Sequence, residues 1–433
     1  MIRGLFRFLL NVLRMFVRAL DLVVRGVFYA LLIFGLGVLV AFFFHPEPEV
    51  PAGSALVLRP VGTIVEQAEL EPPLALLRAG GAPAGQLRLA DLVEAVRTAR
   101  DDARIAALVI ETDELVGGGF SKLAELRVAI ADFKASGKPV LARGERFTQS
   151  QYYLASVADE LHLSPDGFVL LRGLARYGTY FKDALDKLGV KVHVFRVGEY
   201  KSFSEPFTRS DMSDEDREAT RDLLDGLWRF MRDDIAASRK LTPAAVDAHV
   251  NDIRGALAAA GGDAAKAALA AGLVDRFSTR DEWRARLVEA VGTDHEGKDV
   301  RAIEVDAYLA LAADDAKDEA GNVAVIVAQG TIVDGAEPAG VVAGDTFARL
   351  IREAREDEDI KALVLRIDSP GGSAWASELI RRELQLTREA GKPVIASMSS
   401  VAASGGYWIA TGADEIWAAP STVTGSIGIF GLF

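Results

Sequence analysis

Two versions of one stretch decide the fold: Ile105-Ala-Ala-Leu-Val-Ile110 and Ile360-Lys-Ala-Leu-Val-Leu365. Each run is almost wholly apolar, as expected for a strand of a parallel sheet that is covered by helices on both faces. Helical patterns alternate with such runs in both halves of the chain, which predicts an α/β fold formed twice. Two further pairs of matches follow: Gly137-Lys-Pro-Val140 with Gly391-Lys-Pro-Val394, and Tyr152-Tyr-Leu-Ala-Ser-Val-Ala-Asp-Glu160 with Tyr407-Trp-Ile-Ala-Thr-Gly-Ala-Asp-Glu415.

The two copies differ where chemistry is expected. Asp414 corresponds to Asp159, an offset of 255 positions, and at this offset Ser404 corresponds to Gln149. The Gly-Lys-Pro-Val matches are offset by 254 positions, so a gap placed later would pair Ser404 with Ser150 instead. With Gln149 as the counterpart, a candidate nucleophile occurs in the second copy only.

Composition excludes several classes of function. The chain has 433 residues, enough for two domains with their own cores, and its net charge is -13. So acidic a chain is not expected to bind nucleic acid. Cysteine is absent, which excludes disulfides and thiolate chemistry, and no two of the five histidines have the spacing of metal ligands.

The N-terminus has the pattern of a membrane anchor. Residues 27–44 are uncharged and mainly apolar, long enough to cross a bilayer as a helix. The five arginines of residues 1–26 fall on one helical face, which predicts a basic amphipathic helix on the membrane surface. Arginines before the span place the N-terminus in the cytoplasm and the body beyond the membrane, in the periplasm of a double-membraned bacterium. A buried core helix, a cleaved signal peptide and a soluble amphipathic helix are the alternatives.

The predicted domains follow from these patterns. Residues 45–54 form a Pro-rich stalk, 55–311 the first repeat, 312–321 a charged linker and 322–433 the second repeat. Between the copies, helices are expected over 214–240 and 243–260, and a strand over 190–197. The second repeat has no counterpart of residues 179–309, so it is expected to be truncated.

Ser404 is the first candidate for chemistry. It lies between small residues in Ala402-Ala-Ser-Gly-Gly406 at a predicted helix start, where backbone can approach a substrate closely. A helix cap is the alternative role. Upstream, the turn Asp368-Ser-Pro-Gly-Gly-Ser373 could offer an amide to an oxyanion, or it could be a turn alone. A serine hydroxyl needs a base, and the second copy contains no histidine.

Lys201 is the candidate base. It follows the predicted strand over 190–197, and aromatic neighbours could exclude water from its amine. A lysine acts as a base near neutral pH only if burial lowers its pKa from about 10.4 to near 7–8. A solvated loop lysine is the alternative.

The following blocks, with the tandem copies and the single anchor, resemble the long, duplicated signal peptide peptidase A form of the S49 serine peptidase family: Ser400-Val-Ala-Ala-Ser-Gly-Gly-Tyr407, Ser369-Pro-Gly-Gly372, Gly198-Glu-Tyr-Lys-Ser202, Glu205-Pro-Phe207 and Thr424-Gly-Ser-Ile-Gly428. This resemblance implies tandem Clp-protease/crotonase-like domains behind a transmembrane helix. It implies a homotetramer, no cofactor, and cleaved signal peptides and other apolar peptides as substrates.

The resemblance also implies roles for individual residues. Ser404 is expected to be the nucleophile and Lys201 its general base. The amides of Gly372 and Gly405 are expected to form the oxyanion hole, and the Ser426 hydroxyl to orient the lysine amine. A crotonase-type acyl-CoA enzyme and a non-catalytic membrane scaffold are the alternative functions.

Overall fold

The computed structural model of the chain describes residues 15, 25–37, 49–69, 85–315 and 321–433. The first half is organised around a parallel sheet. Its elements as far as residue 163 are β1 (Ser54–Leu58), β2 (Gly62–Val65), β3 (Gln86–Arg88), α1 (Leu89–Asp101), β4 (Ile105–Glu111), β5 (Leu115–Gly117), α2 (Phe120–Ala135), β6 (Val140–Gly144), α3 (Gln149–Ala155) and β7 (Glu160–Leu163).

A mainly helical region follows and returns two strands to this sheet. It consists of α4 (Lys182–Lys187), β8 (Val194–Arg196), a 3-10 turn (Ser202–Ser204), α5 (Glu205–Thr208), α6 (Asp214–Arg239), α7 (Pro243–Asn251), α8 (Ile253–Ala259), α9 (Ala264–Ala270), β9 (Arg276–Phe277), α10 (Arg280–Val291), β10 (Ala302–Glu304) and α11 (Val305–Asp315). The sheet has the order β10-β1-β4-β6-β7-β9, with every pair parallel. Strands β3, β2 and β5 form a separate small sheet.

The second half repeats the arrangement. Its elements are β11 (Val323–Gln329), β12 (Ile332–Val333), β13 (Val342–Ala343), α12 (Gly344–Glu356), β14 (Ala362–Ser369), α13 (Ala374–Glu389), β15 (Val394–Ala403), α14 (Gly405–Ala410), β16 (Glu415–Trp417), β17 (Val423–Gly425) and β18 (Phe430–Leu432). The parallel order β11-β14-β15-β16 matches β1-β4-β6-β7 of the first half, and β17 pairs with β15 beyond β16.

Apolar spacing explains the two cores. Leu89, Leu92, Val93 and Val96 recur every three or four residues on α1 and are buried against the first sheet. The central strand β4 buries five of its seven residues, on both faces of the sheet, as its apolar sequence predicts. A second core surrounds β14 and β15. The predicted α/β fold is therefore confirmed.

The repeated motifs make the same contacts in both halves. The Asp159 carboxylate accepts a hydrogen bond from the Val140 amide at 2.9 Å, and the Asp414 carboxylate accepts one from the Val394 amide at 2.9 Å. The lysine of each Gly-Lys-Pro-Val motif donates to two carbonyls at the C-terminal end of a helix that lies before the previous strand, which is α1 in the first half and α12 in the second. These motifs therefore join a helix end to a strand in each half.

Several expectations from the sequence need correction. The helix expected over 243–260 is two helices, because the Asp252 backbone leaves the helical conformation and its carboxylate caps the second helix at Gly255. The strand expected over 190–197 is only β8, three residues long. Helix α11 extends to Asp315, so residues 312–315 of the expected linker are helical, and 316–320 lie outside the described residues.

The N-terminal expectations fall mostly outside the described residues. Residues 25–37 are helical, whereas residues 38–44 of the expected anchor, 45–48 of the stalk and nearly all of the expected surface helix over 1–26 are not described. Within the described ranges, no helix combines the length and the apolar character needed to span a bilayer. Residues 1–49 and 50–433 form separate units, and all contacts discussed below lie within the second.

Candidate active site

Ser404 lies at the junction between β15 and α14 in a strained backbone conformation. Its φ of 51° and ψ of -115° are unusual for a residue other than glycine. The Ser404 amide donates to the Gly425 carbonyl at 2.9 Å, which ties the junction to β17. The Ser404 side chain makes no capping hydrogen bond. The helix-cap alternative therefore has no support, and the hydroxyl is available to another group.

Small residues around Ser404 are required by close packing. A Cβ atom on Gly406 would lie 2.6 Å from the Ser369 carbonyl oxygen, and one on Gly405 would lie 2.6 Å from Ser377 Oγ. Both distances are shorter than real Cβ contacts. The Gly-Gly sequence after the serine thus lets α14 begin against the turn that follows β14.

The Lys201 amine is the group that lies next to the Ser404 hydroxyl. Its Nζ lies 3.1 Å from Ser404 Oγ, although the two residues are 203 positions apart in sequence. The Lys201 side chain is 4% exposed, and burial lowers the pKa of its amine. Among the described residues, no carboxylate forms an ion pair with this amine that would counteract the effect. The alternative role of Lys201 as a solvated loop residue does not fit this burial.

The two halves of the chain are joined next to the lysine by a short antiparallel pair. Strand β18 of the second half pairs with β8 of the first, in register Arg196 with Phe430. The Val197 amide extends the pair by donating to the Ile429 carbonyl at 3.0 Å. The Phe203 and Phe430 rings lie 4.6 Å apart between their centroids, beside the lysine turn. This pairing holds the turn that carries Lys201 against the turn after β17.

The lysine turn has a further polar anchor that the sequence did not reveal. Ser202 Oγ donates to the buried Asp216 carboxylate at 2.7 Å, and Arg176 Nη1 donates to the same oxygen at 2.9 Å. Asp216 belongs to the first turn of α6, which Ser213 caps. Acidic residues at a helix start are common, so no sequence pattern distinguished this one.

Ser426 contacts the lysine through a different group from the one expected. Lys201 Nζ donates to the Ser426 backbone carbonyl at 2.5 Å, whereas the expected contact was with the Ser426 hydroxyl. Ser426 is exposed, and the chain after β17 turns its carbonyl toward the amine. A main-chain acceptor at this position does not depend on the identity of the side chain.

Gly372 and Gly405 lie beside each other near Ser404. A Cβ atom on Gly405 would be 3.2 Å from the Gly372 nitrogen. Within the described part of the chain, neither of the two amides donates a hydrogen bond to another group. Two adjacent unpaired amides next to a hydroxyl are the arrangement that an oxyanion hole requires.

These groups open into a cavity of about 610 Å³. Ser404, Gly372 and Gly405 line one side of it, and most of the remaining wall is apolar or aromatic. That wall includes Tyr407, Trp408, Ile427, Ile429 and Phe430. The sequence did not identify the last three as pocket residues, because they follow β17 in a segment without helical or strand periodicity.

Other catalytic arrangements find less support. His193 is exposed and pairs with Phe433 through its backbone. In the described ranges, no group of three or more histidines, cysteines or carboxylates could hold a metal ion. Gln149, the counterpart of Ser404, has its side chain occupied by the Arg172 amide and the Gly173 carbonyl.

The chain is similar to known peptidases. The profile described as peptidase family S49 matches residues 132–294 and 387–432. Protease 4 of Salmonella typhi is 42% identical over 436 residues, an alignment that covers 100% of this chain and 70% of that protein. Protease 4 of Haemophilus influenzae is 41% identical over 345 residues, covering 79% of this chain and 56% of that protein.

Two further proteins share less sequence identity with the chain. The chloroplastic serine protease SPPA of Arabidopsis thaliana is 32% identical, covering 89% of this chain and 55% of that protein. The chain thus spans about half the length of two of these three relatives. An enoyl-CoA hydratase/isomerase family protein from Silicibacter pomeroyi is 17% identical and covers 57% of this chain and 80% of that one, with a TM-score of 0.29, too low to support an argument.

The identity to the Salmonella protein extends over the whole chain and most of that relative, and the family profile includes residues on both sides of the Lys201–Ser404 contact. The resemblance seen in the sequence is therefore confirmed, and the chain belongs to the serine peptidases of family S49.

Proposed function

We propose that this chain is a membrane-anchored serine endopeptidase with a Ser404–Lys201 dyad, and that it degrades cleaved signal peptides and other apolar peptides. One observation carries the proposal: a buried amine with a lowered pKa lies 3.1 Å from the hydroxyl of a strained serine beside an apolar cavity. This is the geometry that a nucleophile and its base require.

The first chemical step forms an acyl enzyme. The neutral Lys201 amine takes the Ser404 proton while Oγ attacks the peptide carbonyl, and the carbonyl oxygen becomes an oxyanion. The Gly372 and Gly405 amides donate hydrogen bonds to that oxyanion. The C–N bond then breaks, and the Lys201 ammonium returns its proton to the leaving amine.

Water completes the cycle. The same amine takes a proton from a water molecule, whose oxygen attacks the acyl carbonyl through a second oxyanion. The C–O bond to Ser404 breaks, and the proton passes from Lys201 to the serine oxygen. The carboxylic acid product leaves, and the enzyme returns to its initial state with no cofactor consumed.

The cavity supports apolar peptides as substrates. Its aromatic and aliphatic wall can bury an apolar side chain next to the scissile bond. An extended peptide can also lie beside a strand edge, where main-chain hydrogen bonds would hold it independently of sequence. The relatives named Protease 4 are consistent with a peptide substrate.

The proposal includes the wider architecture. The two halves are taken as tandem copies of one Clp-protease/crotonase-like domain, supported by their shared strand order and shared contacts. Residues 27–44 are taken as the anchor, with the N-terminus cytoplasmic and the body outside the cytoplasm, supported by the apolar run and the arginines before it. The assembly is taken as a homotetramer in contact with inner-membrane lipids.

The test uses a fluorophosphonate probe on the full-length protein in detergent. Wild-type protein should be labelled at Ser404 and should cleave an apolar peptide, whereas Ser404→Ala and Lys201→Met should lose both by at least about 10²-fold. Lys191→Met, an exposed lysine on the same segment, is the matched control and should retain activity. Activity in Ser404→Ala like that of wild type would refute the proposal, and the same result in Lys201→Met would remove the lysine from it.

A further inference from the structure

A bulge interrupts β15 immediately before the nucleophile. The pairing of β14 with β15 shifts register between Ile367 and Ser369, so that residues 399–401 lie opposite the single residue Asp368. Bulges of this kind redirect a strand and are common next to active sites. This one lies between the turn that carries Gly372 and the junction that carries Ser404. Its shape therefore decides how the hydroxyl and the amide face each other.

Asp368 connects the two sides of the bulge. One of its carboxylate oxygens accepts a hydrogen bond from the Val401 amide at 3.0 Å. Its own carbonyl accepts one from the Gly330 amide at 3.0 Å. Asp368 directly precedes the Ser369–Gly372 turn, and Val401 lies three residues before Ser404. A single carboxylate thus links the backbone before Gly372 to the backbone before Ser404.

The first half of the chain supplies the partner of this carboxylate. The Lys122 amine, on α2, forms an ion pair with the second oxygen of Asp368 and lies 3.4 Å from Ser400 Oγ. Lys122 is 5% exposed. Ser399 Oγ donates to Glu66, also in the first half. Every residue of the bulge is therefore held by the first half, directly or through Asp368.

The position of Lys122 is informative in sequence as well. Helices α2 and α13 both have 16 residues and begin at Phe120 and Ala374, an offset of 254 positions, at which Lys122 corresponds to the buried Ala376. The first copy therefore has a long cationic side chain where the second has a methyl group. Next to α2, Gly119 packs so closely that a Cβ atom would lie 2.4 Å from Ser400 Oγ.

We propose that Lys122 is a positioning residue for the peptidase reaction, which acts through Asp368 and the β15 bulge to hold Ser404 in register with the Gly372 amide. The inference rests on the proposed function. The Asp368 side chain is 13% exposed, and a carboxylate so largely removed from water is unfavourable without a cation. Without Lys122 the carboxylate turns toward water and releases the Val401 amide. A displacement of about 1 Å at the reacting atoms lowers a rate about 10²-fold.

The experiment compares Lys122→Met with Lys134→Met in the full-length protein. Both replace a lysine on α2, but Lys134 pairs with Asp159 inside the first half. We expect Lys122→Met to lower kcat and the rate of fluorophosphonate labelling of Ser404 by about 30- to 100-fold per folded molecule. KM should change by less than about threefold, since Lys122 does not line the cavity. Lys134→Met should resemble wild type.

Two further variants keep the test decisive if Lys122→Met folds poorly. Lys122→Arg keeps the charge and should retain more activity than Lys122→Met. The double variant Lys122→Met with Asp368→Ala removes both charges and the acceptor of the Val401 amide, so it should fold, yet label as slowly as the single variant. This inference would be overturned if the folded double variant were labelled at the wild-type rate, or if Lys134→Met lost as much activity as Lys122→Met. Either result would leave the proposed function unaffected. A wild-type protein that is not labelled at Ser404 would overturn the proposed function and this inference with it.

Discussion

Phe430 should control the pH at which the enzyme becomes active. Its ring centroid lies 5.9 Å from Lys201 Nζ and helps to exclude water from the amine. Replacing Phe430 by alanine admits water, which stabilises the ammonium form and moves the lysine pKa back up toward its ordinary value. A ring can also attract a cation, but 5.9 Å is at the limit of about 6 Å for that interaction, so the loss of desolvation dominates.

The magnitude follows from the fraction of neutral amine. Below the lysine pKa, each unit of increase in that pKa lowers the neutral fraction and the rate tenfold. In Phe430→Ala we therefore expect Ser404 labelling to be about three- to tenfold slower at pH 7 and equal to wild type near pH 10. Phe430 is 38% exposed, so its removal should cost less than the roughly 3–5 kcal/mol of a fully buried phenylalanine.

The assay is the rate of labelling by a small fluorophosphonate as a function of pH. A small probe limits the contribution of pocket contacts that Phe430 also makes. Phe433→Ala is the matched control, because Phe433 follows β18, is 81% exposed and packs on Phe195 instead. In wild type the labelling rate should rise with pH through the lysine pKa. If that rise occurs at the same pH or at a lower pH in Phe430→Ala, the desolvation argument is refuted. A flat wild-type profile from about pH 6 to 10 would refute the lysine base altogether.

Two other predictions concern the glycine turn and acid stability. Gly372→Ala should slow Ser404 labelling at least about 10²-fold, since the new Cβ atom would lie 2.0 Å from the Ile332 carbonyl oxygen. Gly391→Ala is the control and should label like wild type, because no atom lies near the position of its Cβ. Equal labelling rates in the two variants would contradict this prediction. The Arg286 hydrogen bond lowers the pKa of Glu160 to about 2. Glu160 therefore stabilises the fold above about pH 4.3, the ordinary glutamate pKa, and this contribution is lost as pH falls toward 2. Thermal unfolding of Glu160→Gln should depend less on pH in that range, and an unchanged dependence would exclude the pair as a contributor.

Much of the fold could be predicted from local patterns. The central strands appear as apolar runs, and the helices that cover them appear as apolar residues every three or four positions. The helix predicted over 214–240 differs from α6 by one residue at its end. Prediction failed where a polar side chain decided the structure, as at Asp252, whose carboxylate starts a second helix within an alanine-rich run.

The candidate site was predictable in part. Ser404 could be found because the repeat exposes a difference between the copies and because small residues surround it. Lys201 could be named as a candidate from its place after an apolar strand and beside aromatic residues, but a solvated loop lysine stayed the alternative, because sequence does not show whether an amine is buried. The expectation for Ser426 concerned its hydroxyl, whereas the structure shows the lysine amine on its backbone carbonyl, and sequence does not reveal which way a backbone carbonyl points. Lys122 differs from its counterpart in the second copy, but this difference did not point to a role, because helical lysines are usually solvated.

The sequence by itself determined the alternation of strands and helices, the duplication and the serine that breaks it. These features are local, because burial imposes a period of two or three to four residues on a short stretch of chain. The tertiary structure alone decided that β8 pairs with β18, and so brings an amine to a hydroxyl 203 positions away. It also decided that this amine is buried. The surroundings of a side chain are set by all the segments that fold around it. They therefore cannot be read from the residues next to it in sequence.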